Sequence, residues 1–290
     1  NGLRKSVFKG FSFIKESFSL ITKDADLIKP PIYSIFVGVF FTIVSGIVLF
    51  FLRSMIPAEL FYILAFLVLL ADYYISYFFT GMTAFLVYDY FKDGDATMSE
   101  VWAAVKKNAA TIFYLSIISA IVKVITSILR NREERDRNIA SGLSVMIVGF
   151  IESAWTIATY FIIPAIVIED RGLKGAVERA TCIIKRNLLP IGVGEIAVGL
   201  VTGILSFIGI IIAIFIGVML FSVTGGAAAG ALVAILVVAI LIILVIALSM
   251  YITTAYHTCL FLWARNVETA SPGVTGMIKP PAPIASALGV

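Results

Sequence analysis

The sequence predicts an all-α integral membrane protein with six transmembrane helices. Hydrophobic residues fill 60% of its 290 positions, charged residues fill only 14%, and the mean hydropathy is +1.05. A water-soluble domain of this length carries more charge and shows clear polar faces. The apolar residues also form long uncharged blocks, such as residues 32–52. About 20 apolar residues suffice for a helix to cross a bilayer, so these blocks favour membrane spans.

Six apolar segments are separated by turn or charge signals. The predicted spans are Ile32–Leu52, Glu59–Tyr88, Ala110–Leu129, Ile139–Ile168, Leu188–Phe221 and Ala227–Trp263. A loop is expected at the charged run 130–138, and turns at Pro57 and Gly94. The last two spans exceed the bilayer core of about 30 Å, so we expect them to tilt or to pack against other protein.

The basic residues predict the orientation. Most of the 22 Lys and Arg lie before the first span, after the second and fourth spans, and after the sixth. The positive-inside rule therefore predicts that both termini are cytoplasmic, and we expect the plasma membrane. Residues 1–270 are interpreted as a single membrane domain. Residues 271–290, rich in Pro and Gly, are interpreted as a flexible cytoplasmic tail.

The cytoplasmic segments indicate a threefold internal repeat. An amphipathic stretch precedes the first, third and fifth spans, at residues 8–23, 97–107 and 173–186. We interpret the chain as three helix-pair repeats, with units of about 8–91, 97–169 and 173–264. Each is preceded by a cytoplasmic amphipathic interfacial helix. Thr97 and Glu100 have the spacing of a capping box. The alternative is that basic amphipathic loops are common to membrane proteins of this kind.

Each amphipathic stretch ends in basic residues followed by Asp or Asn. The basic residues are predicted to contact anionic lipid headgroups: Lys23, Lys106, Lys107, Lys185 and Arg186. The Asp or Asn that follows can cap the next helix. The repeat also aligns two acids within the spans, because Asp72 and Glu152 occupy equivalent positions in the first two units.

Two segments resemble a known family. They are Tyr160–Asp170, which reads YFIIPAIVIED, and the basic stretch Ala176–Asn187. The pattern resembles a family of prokaryotic six-span proteins related to the membrane domain fused to some glycerophosphodiester phosphodiesterases. In that family a span ending in Pro, apolar residues and an acid continues into a basic amphipathic helix with a Lys/Arg-Asn junction. The resemblance implies the six-span layout, and it implies no particular activity.

Ionisable residues within the spans define a candidate polar site, because such groups are costly in a membrane and are often functional. Asp72 and Glu152 would line a cavity with Lys123 as their counter-charge. Its aromatic walls would be Tyr73, Tyr77 and Trp155, and secondary candidates are Glu195 and His257. The alternative is that these groups pair with one another and only hold the helices together.

The sequence does not favour an enzyme. The flanks of Asp72 and Glu152 lack the Gly-x-Gly-Asp motif of intramembrane aspartyl proteases, and His257 is the only histidine. We find no nucleophile elbow, P-loop or HExxH motif. Cys182 and Cys259 offer neither a disulfide framework nor a metal cluster. We therefore predict no catalytic residues, no metal, no cofactor and no nucleic-acid partner.

Two functions from different classes remain. The first is a non-enzymatic membrane scaffold or assembly component that binds lipid and partner proteins. The pairs Gly199/Gly203 and Gly226/Gly230 have the spacing that allows close helix packing, within the chain or in a homo-oligomer or membrane-protein complex. The second is a transporter or channel for a small solute or lipid that uses Asp72 and Glu152.

Overall fold

A computed structural model describes residues 19–94, 97–135, 139–186, 188–224 and 228–269. For residues 132–135, 139–144, 188–197 and 269 it describes the helical backbone only. The regular structure in this part of the chain is helical throughout. After a short 3-10 helix at Ala25–Ile28, the helices are α1 (Lys29–Leu52), α2 (Ala58–Asp93), α3 (Met98–Lys107), α4 (Ala109–Arg135), α5 (Ile139–Val167), α6 (Leu173–Arg186), α7 (Leu188–Val223) and α8 (Ala228–Thr269).

Six of these helices are long and apolar enough to cross a membrane: α1, α2, α4, α5, α7 and α8. The all-helical class and the six predicted spans are therefore confirmed. The fifth and sixth spans are continuous helices of 36 and 42 residues, or roughly 54 and 63 Å at 1.5 Å per residue. The threefold repeat and the interfacial placement of α3 and α6 stay predictions. The first predicted interfacial helix and the C-terminal tail lie largely or wholly outside the described residues.

One predicted loop is wrong over most of its length. Residues 130–138 were expected to connect two spans, but α4 continues to Arg135. The reason is local, because the run from Arg130 to Arg135 contains Arg, Asn and Glu but neither Gly nor Pro. Arg and Glu are good helix formers, and opposite charges three or four residues apart support a helix. This extension keeps Arg130 on the same helix as Lys123.

The chain divides into two compact units. The first comprises described residues up to 35, residues 86–94, and those from 188 onward. In this unit α7 packs along α8, and α8 also contacts the 3-10 helix. The second unit comprises residues 36–85 and 97–186. In it α4 packs against α5, and α6 packs against both of them, while α3 contacts α4.

The close packing of α7 on α8 depends on Gly209 and Gly217 and not on the predicted pair Gly199/Gly203. Of the second predicted pair, Gly230 closely approaches Thr224 just after α7, and Gly226 lies outside the described residues. A Cβ atom on Gly209 would lie 2.6 Å from Cγ2 of Val245, and one on Gly217 would overlap Val238. Among the described residues, none has an atom within 4 Å of a Cβ placed on Gly199 or Gly203, so the prediction that these two glycines bring α7 and α8 together is wrong. The side chains of the facing helix determine which glycines allow a close approach. The spacing of glycines along one helix does not reveal this.

The short helices α3 and α6 each bury apolar side chains. In α3 these are Val101 and Val105. In α6 they are Ala176, Ala180 and Ile183. The predicted capping box is incomplete, because the Thr97 side chain makes no hydrogen bond to the helix backbone. Its hydroxyl donates instead to the Glu100 carboxylate at 2.8 Å.

Candidate functional site

The carboxylate of Glu152 is the centre of a charged cluster in the second unit. The Lys123 ammonium donates to its Oε1 at 2.9 Å, and the Thr126 hydroxyl donates to the same oxygen at 2.9 Å. The Arg130 guanidinium donates to Oε2. The structure thus brings Glu152 and Lys123 together, and it adds Thr126 and Arg130.

The spacing of residues along α4 explains why these side chains meet Glu152. Ser119, Lys123, Thr126 and Arg130 follow one another at intervals of four, three and four residues, which places them on one face of the helix. That face packs on α5. Lys123 meets Glu152, while the earlier residue Ser119 meets the later Trp155, so the two helices run antiparallel.

A partly polar cavity of about 190 Å³ opens beside this cluster. Its lining residues come from α2, α4 and α5: Tyr73, Ser119, Val122, Lys123, Thr126, Glu152, Trp155 and Thr156. Lys123 and Arg130 together carry one more charge than the Glu152 carboxylate neutralises, so the cluster is cationic. Such a cavity can hold a small anion, or it can remain a polar seam between helices.

The buried hydroxyl of Ser119 organises the inner wall of the cavity. The Tyr77 hydroxyl donates to it at 2.8 Å, and the Trp155 indole N–H donates to it at 3.0 Å. Ser119 itself donates to the carbonyl oxygen of Leu115. The Tyr73 ring packs next to Tyr77, with centroids 5.6 Å apart. The three predicted aromatic residues therefore lie in or directly beside the cavity.

Asp72 is the predicted site residue that the structure places elsewhere. Its carboxylate accepts a hydrogen bond from the Thr42 hydroxyl of α1 at 3.2 Å. It is not one of the described residues that line the cavity. Successive residues point about 100° apart around a helix, so Tyr73 can face the cavity while Asp72 faces α1. Asp72 and Glu152 therefore have different neighbours.

The secondary candidates do not join the cluster. Glu195 belongs to α7, and its side chain lies outside the described part of the structure. His257 is buried in the first unit, with Nδ1 2.7 Å from the carbonyl oxygen of Thr253 and its ring against Tyr256. This setting fits a packed polar side chain. Among the described residues there is no cluster of three His, Cys, Asp or Glu side chains that could hold a metal ion.

A second charged network joins the connection after α5 to α6 and to the junction of α3 with α4. Glu169 accepts from Arg179 of α6 at 3.2 Å, and both side chains are nearly buried, at 12% and 13% exposed. The next residue, Asp170, accepts from Lys107 at 2.8 Å and from Asn108 at 2.9 Å, where α3 ends and α4 begins. The sequence analysis did not single out the pairing of Glu169 or Asp170.

Two hydrogen bonds hold the pKa of Asp170 below its ordinary value, and the one from Lys107 has a larger effect than the one from Asn108. Asp170 adopts a left-handed backbone with φ of 52°, a conformation that Asp tolerates better than most residues.

The five basic residues predicted to contact headgroups are all exposed: Lys23, Lys106, Lys107, Lys185 and Arg186. Lys107 is therefore exposed and also paired.

Six apolar spans, with charged networks within and at the ends of the helices, define a multi-pass α-helical membrane protein. The chain belongs to a family of unknown function, DUF6159, whose sequence profile matches residues 59–271, from the start of α2 to just beyond α8. No curated protein matches the chain. The family match gives no evidence of a relation to the membrane domain of glycerophosphodiester phosphodiesterases, so that resemblance stays a prediction.

Proposed function

We propose that the protein is a non-enzymatic scaffold of the plasma membrane, with both termini in the cytoplasm, that binds anionic lipid and assembles with a second copy or a partner protein. The observation that carries this proposal is the pairing of Glu152. Its two carboxylate oxygens accept from Lys123, Thr126 and Arg130. An acid held in this way serves to join α4 to α5.

A transport pathway would need acids that exchange partners or protons along a continuous route. Glu152 forms ion pairs with two cations, Lys123 and Arg130. Asp72 does not share these partners, and its carboxylate accepts a hydrogen bond from Thr42. Polar contacts between membrane helices are worth about 1 kcal/mol each, which suffices to explain why such groups are present. The intramembrane charges therefore support a structural role.

The exposed basic residues support lipid binding. Lys106, Lys185 and Arg186 lie near the ends of α3 and α6, on the side that the distribution of Lys and Arg assigns to the cytoplasm. The cytoplasmic leaflet is rich in anionic lipid, which attracts basic groups at its surface by about 1 kcal/mol each. A scaffold of this kind would hold its position by these contacts and leave the apolar helix faces for lipid or for other spans.

The alternative function is a transporter or channel for a small solute or lipid. The observation that favours it is the cavity of about 190 Å³ beside Glu152, lined by Tyr73, Lys123 and Trp155. Its excess of positive charge would suit an anionic solute. Under this alternative, substrate would displace the Glu152 carboxylate from one of its two cations.

The experiment that tests the proposal is native mass spectrometry of the protein released gently from its own membrane, with Asp72→Asn/Glu152→Gln as the comparison variant. The scaffold proposal expects a defined oligomer or a complex with another protein. It expects the variant to keep the same assembly at a lower melting temperature. A monomer that retains one small molecule, and loses it in the variant, would overturn the scaffold and establish the transporter.

A further inference from the structure

We propose that the first unit contains a specific site for one anionic phospholipid, in a cavity between the last turns of α2 and α8. This inference rests on the proposed lipid-binding scaffold and names a site that the scaffold proposal does not require. The lipid phosphodiester binds Lys92 and Arg265, and an acyl chain lies against Phe91 and Leu262.

The cavity has a volume of about 350 Å³ and two chemically distinct walls. Tyr88, Phe91 and Leu262 supply the apolar wall. The polar wall consists of Lys92, Arg265 and Asn266, and all three side chains carry N–H donors. No carboxylate is among the six described residues that line it. Donors on one side and apolar carbon on the other match a ligand that is itself half anionic and half hydrocarbon.

Arg265 is positioned by an aromatic ring. Its guanidinium carbon lies 5.4 Å from the centroid of the Tyr88 ring, a distance typical of a cation–π contact. A guanidinium held over a ring directs its N–H groups outward from its edge. Arg forms paired hydrogen bonds to phosphate oxygens, and a side chain that is already oriented loses less entropy when it binds one.

Lys92 supplies a second cation at the rim. Its ammonium lies 2.9 Å from the carboxylate of Asp93, and the two side chains are 56% and 55% exposed. Exposed ion pairs between neighbouring residues are weak. Lys92 can therefore turn from Asp93 to a phosphate at little cost. Asp89, one turn earlier, is buried and does not line the cavity.

The position of the cavity favours a lipid over free phosphate. It lies at the ends of two helices that are each apolar enough to cross a membrane, on the side that the positive-inside rule assigns to the cytoplasm. Phe91 is 38% exposed there, and Leu262, which also lines the cavity, is 5% exposed. A free phosphate would leave this apolar wall unused, whereas a phospholipid covers it. Basic pockets between membrane helices are known to bind lipid headgroups in this way.

The test uses the full chain in detergent, titrated with dioleoyl phosphatidylglycerol or dioleoyl phosphatidylcholine and followed by native mass spectrometry. We expect one phosphatidylglycerol to bind about tenfold more tightly than phosphatidylcholine. In Lys92→Gln/Arg265→Gln this preference should disappear. The matched control is Arg53→Gln/Lys174→Gln, which removes the same charge, one Arg and one Lys, from exposed positions after α1 and on α6 that belong to no proposed lipid contact. It should keep the preference.

A second pair of variants tests the positioning of Arg265. Tyr88→Phe keeps the ring and should keep the affinity, whereas Tyr88→Leu should lower it several-fold while both cations remain. Unchanged affinity in Tyr88→Leu would overturn this positioning role. The melting temperature of each variant without lipid is measured first, so that a loss of folding is not read as a loss of binding.

Three results would overturn the site. The first is that the wild type binds the two lipids equally well. The second is that the site variant and its control lose the preference for phosphatidylglycerol to the same extent. The third is that millimolar inorganic phosphate displaces the lipid. The last would assign the cavity to soluble phosphate. If the wild type forms its oligomer or complex but shows no lipid preference, the site fails and the assembly role of the scaffold stands. If it prefers phosphatidylglycerol but is monomeric without a partner, the site stands and the scaffold fails.

Discussion

The ammonium of Lys123 lies 2.9 Å from the carboxylate of Glu152, so an ion pair joins α4 to α5. Both of these helices are apolar enough to cross a membrane. Glu152 is only 23% exposed, while Lys123 is 46% exposed. Because Arg130 binds the other carboxylate oxygen, the acid has two cationic partners. Removing the Glu152 carboxylate leaves two positive charges without their acid. Removing either Lys123 or Arg130 leaves the carboxylate paired with the other cation.

Glu152→Gln is expected to lower the free energy of unfolding by about 1 kcal/mol, the scale measured for polar contacts between membrane helices. Thermal or denaturant unfolding in detergent measures this. Glu59→Gln is the control, because Glu59 is exposed at the start of α2. Lys123→Gln should cost less, since Arg130 still binds the carboxylate. An equal effect of Glu152→Gln and Glu59→Gln would contradict a structural role for the pair.

Arg179→Gln is expected to destabilise the protein by about 2 kcal/mol. It removes the α6 partner of the nearly buried Glu169, and a hydrogen bond to a charged group contributes about this much, while Arg171 still neutralises the carboxylate. Arg171 also binds Glu169, at 2.6 Å, but it is 45% exposed. Arg171→Gln should therefore cost less than about 1 kcal/mol. Equilibrium unfolding of both variants would test this order, and the reverse order would show that the exposed Arg171 carries the contact.

The bonds from Lys107 and Asn108 to Asp170 predict a small pH dependence of stability. Because they lower the pKa of Asp170 in the folded protein, their contribution is fully present above the ordinary Asp pKa of about 3.9. It is lost as the pH falls through the lowered value. Asp170→Asn should therefore be less stable than the wild type at pH 7, by less than about 1 kcal/mol because the pair is exposed.

The difference between Asp170→Asn and the wild type should shrink below about pH 4. Melting curves at several pH values measure it. In a Lys107→Gln background both the difference and its pH dependence should be smaller. A difference that is constant with pH would mean that Asp170 contributes through its backbone conformation alone.

Gly209→Ala should lower the melting temperature, because the new methyl group would lie 2.6 Å from a methyl of Val245 on α8. Val is stiff about its first side-chain torsion, so the helices must separate. Gly203→Ala is the matched control on the same helix, because no described residue has an atom within 4 Å of the new methyl group. It should leave stability unchanged or raise it by up to about 1 kcal/mol, since Ala favours helix more than Gly does. If the two variants behaved alike, the close approach of α7 and α8 would be wrong.

The sequence predicts the spans well because hydropathy is a local property. The ends of α1, α5 and α7 fall within about three residues of their predicted positions, and α8 begins one residue later than predicted. Pairing is harder to predict because it depends on which faces meet. Lys123 is identified as the counter-charge of Glu152, but nothing near Asp72 in the sequence indicates Thr42, thirty residues earlier.

Arg130 could have been found from the sequence. It lies seven residues after Lys123, or about two helical turns, so the two share a face as soon as the helix continues. The charged run from Arg130 onward reads as a loop only if charge is taken to end a helix. Its high helix propensity, without Gly or Pro, indicates the opposite. The pairing of Glu169 and Asp170 is harder to predict, because their partners lie on α6 and at the junction of α3 with α4, which are distant in the sequence.

Glu169 and Asp170 are consecutive, yet one binds α6 and the other binds the junction of α3 with α4. One residue inserted on either side of the pair could move it by about 3.5 Å along the connection, which is more than a hydrogen bond can stretch, so the two carboxylates could not both keep their partners. The connection between α5 and α6 should therefore be the least tolerant of added sequence in the second unit. An epitope tag or fluorescent reporter placed there would disrupt the attachment of three helices at once.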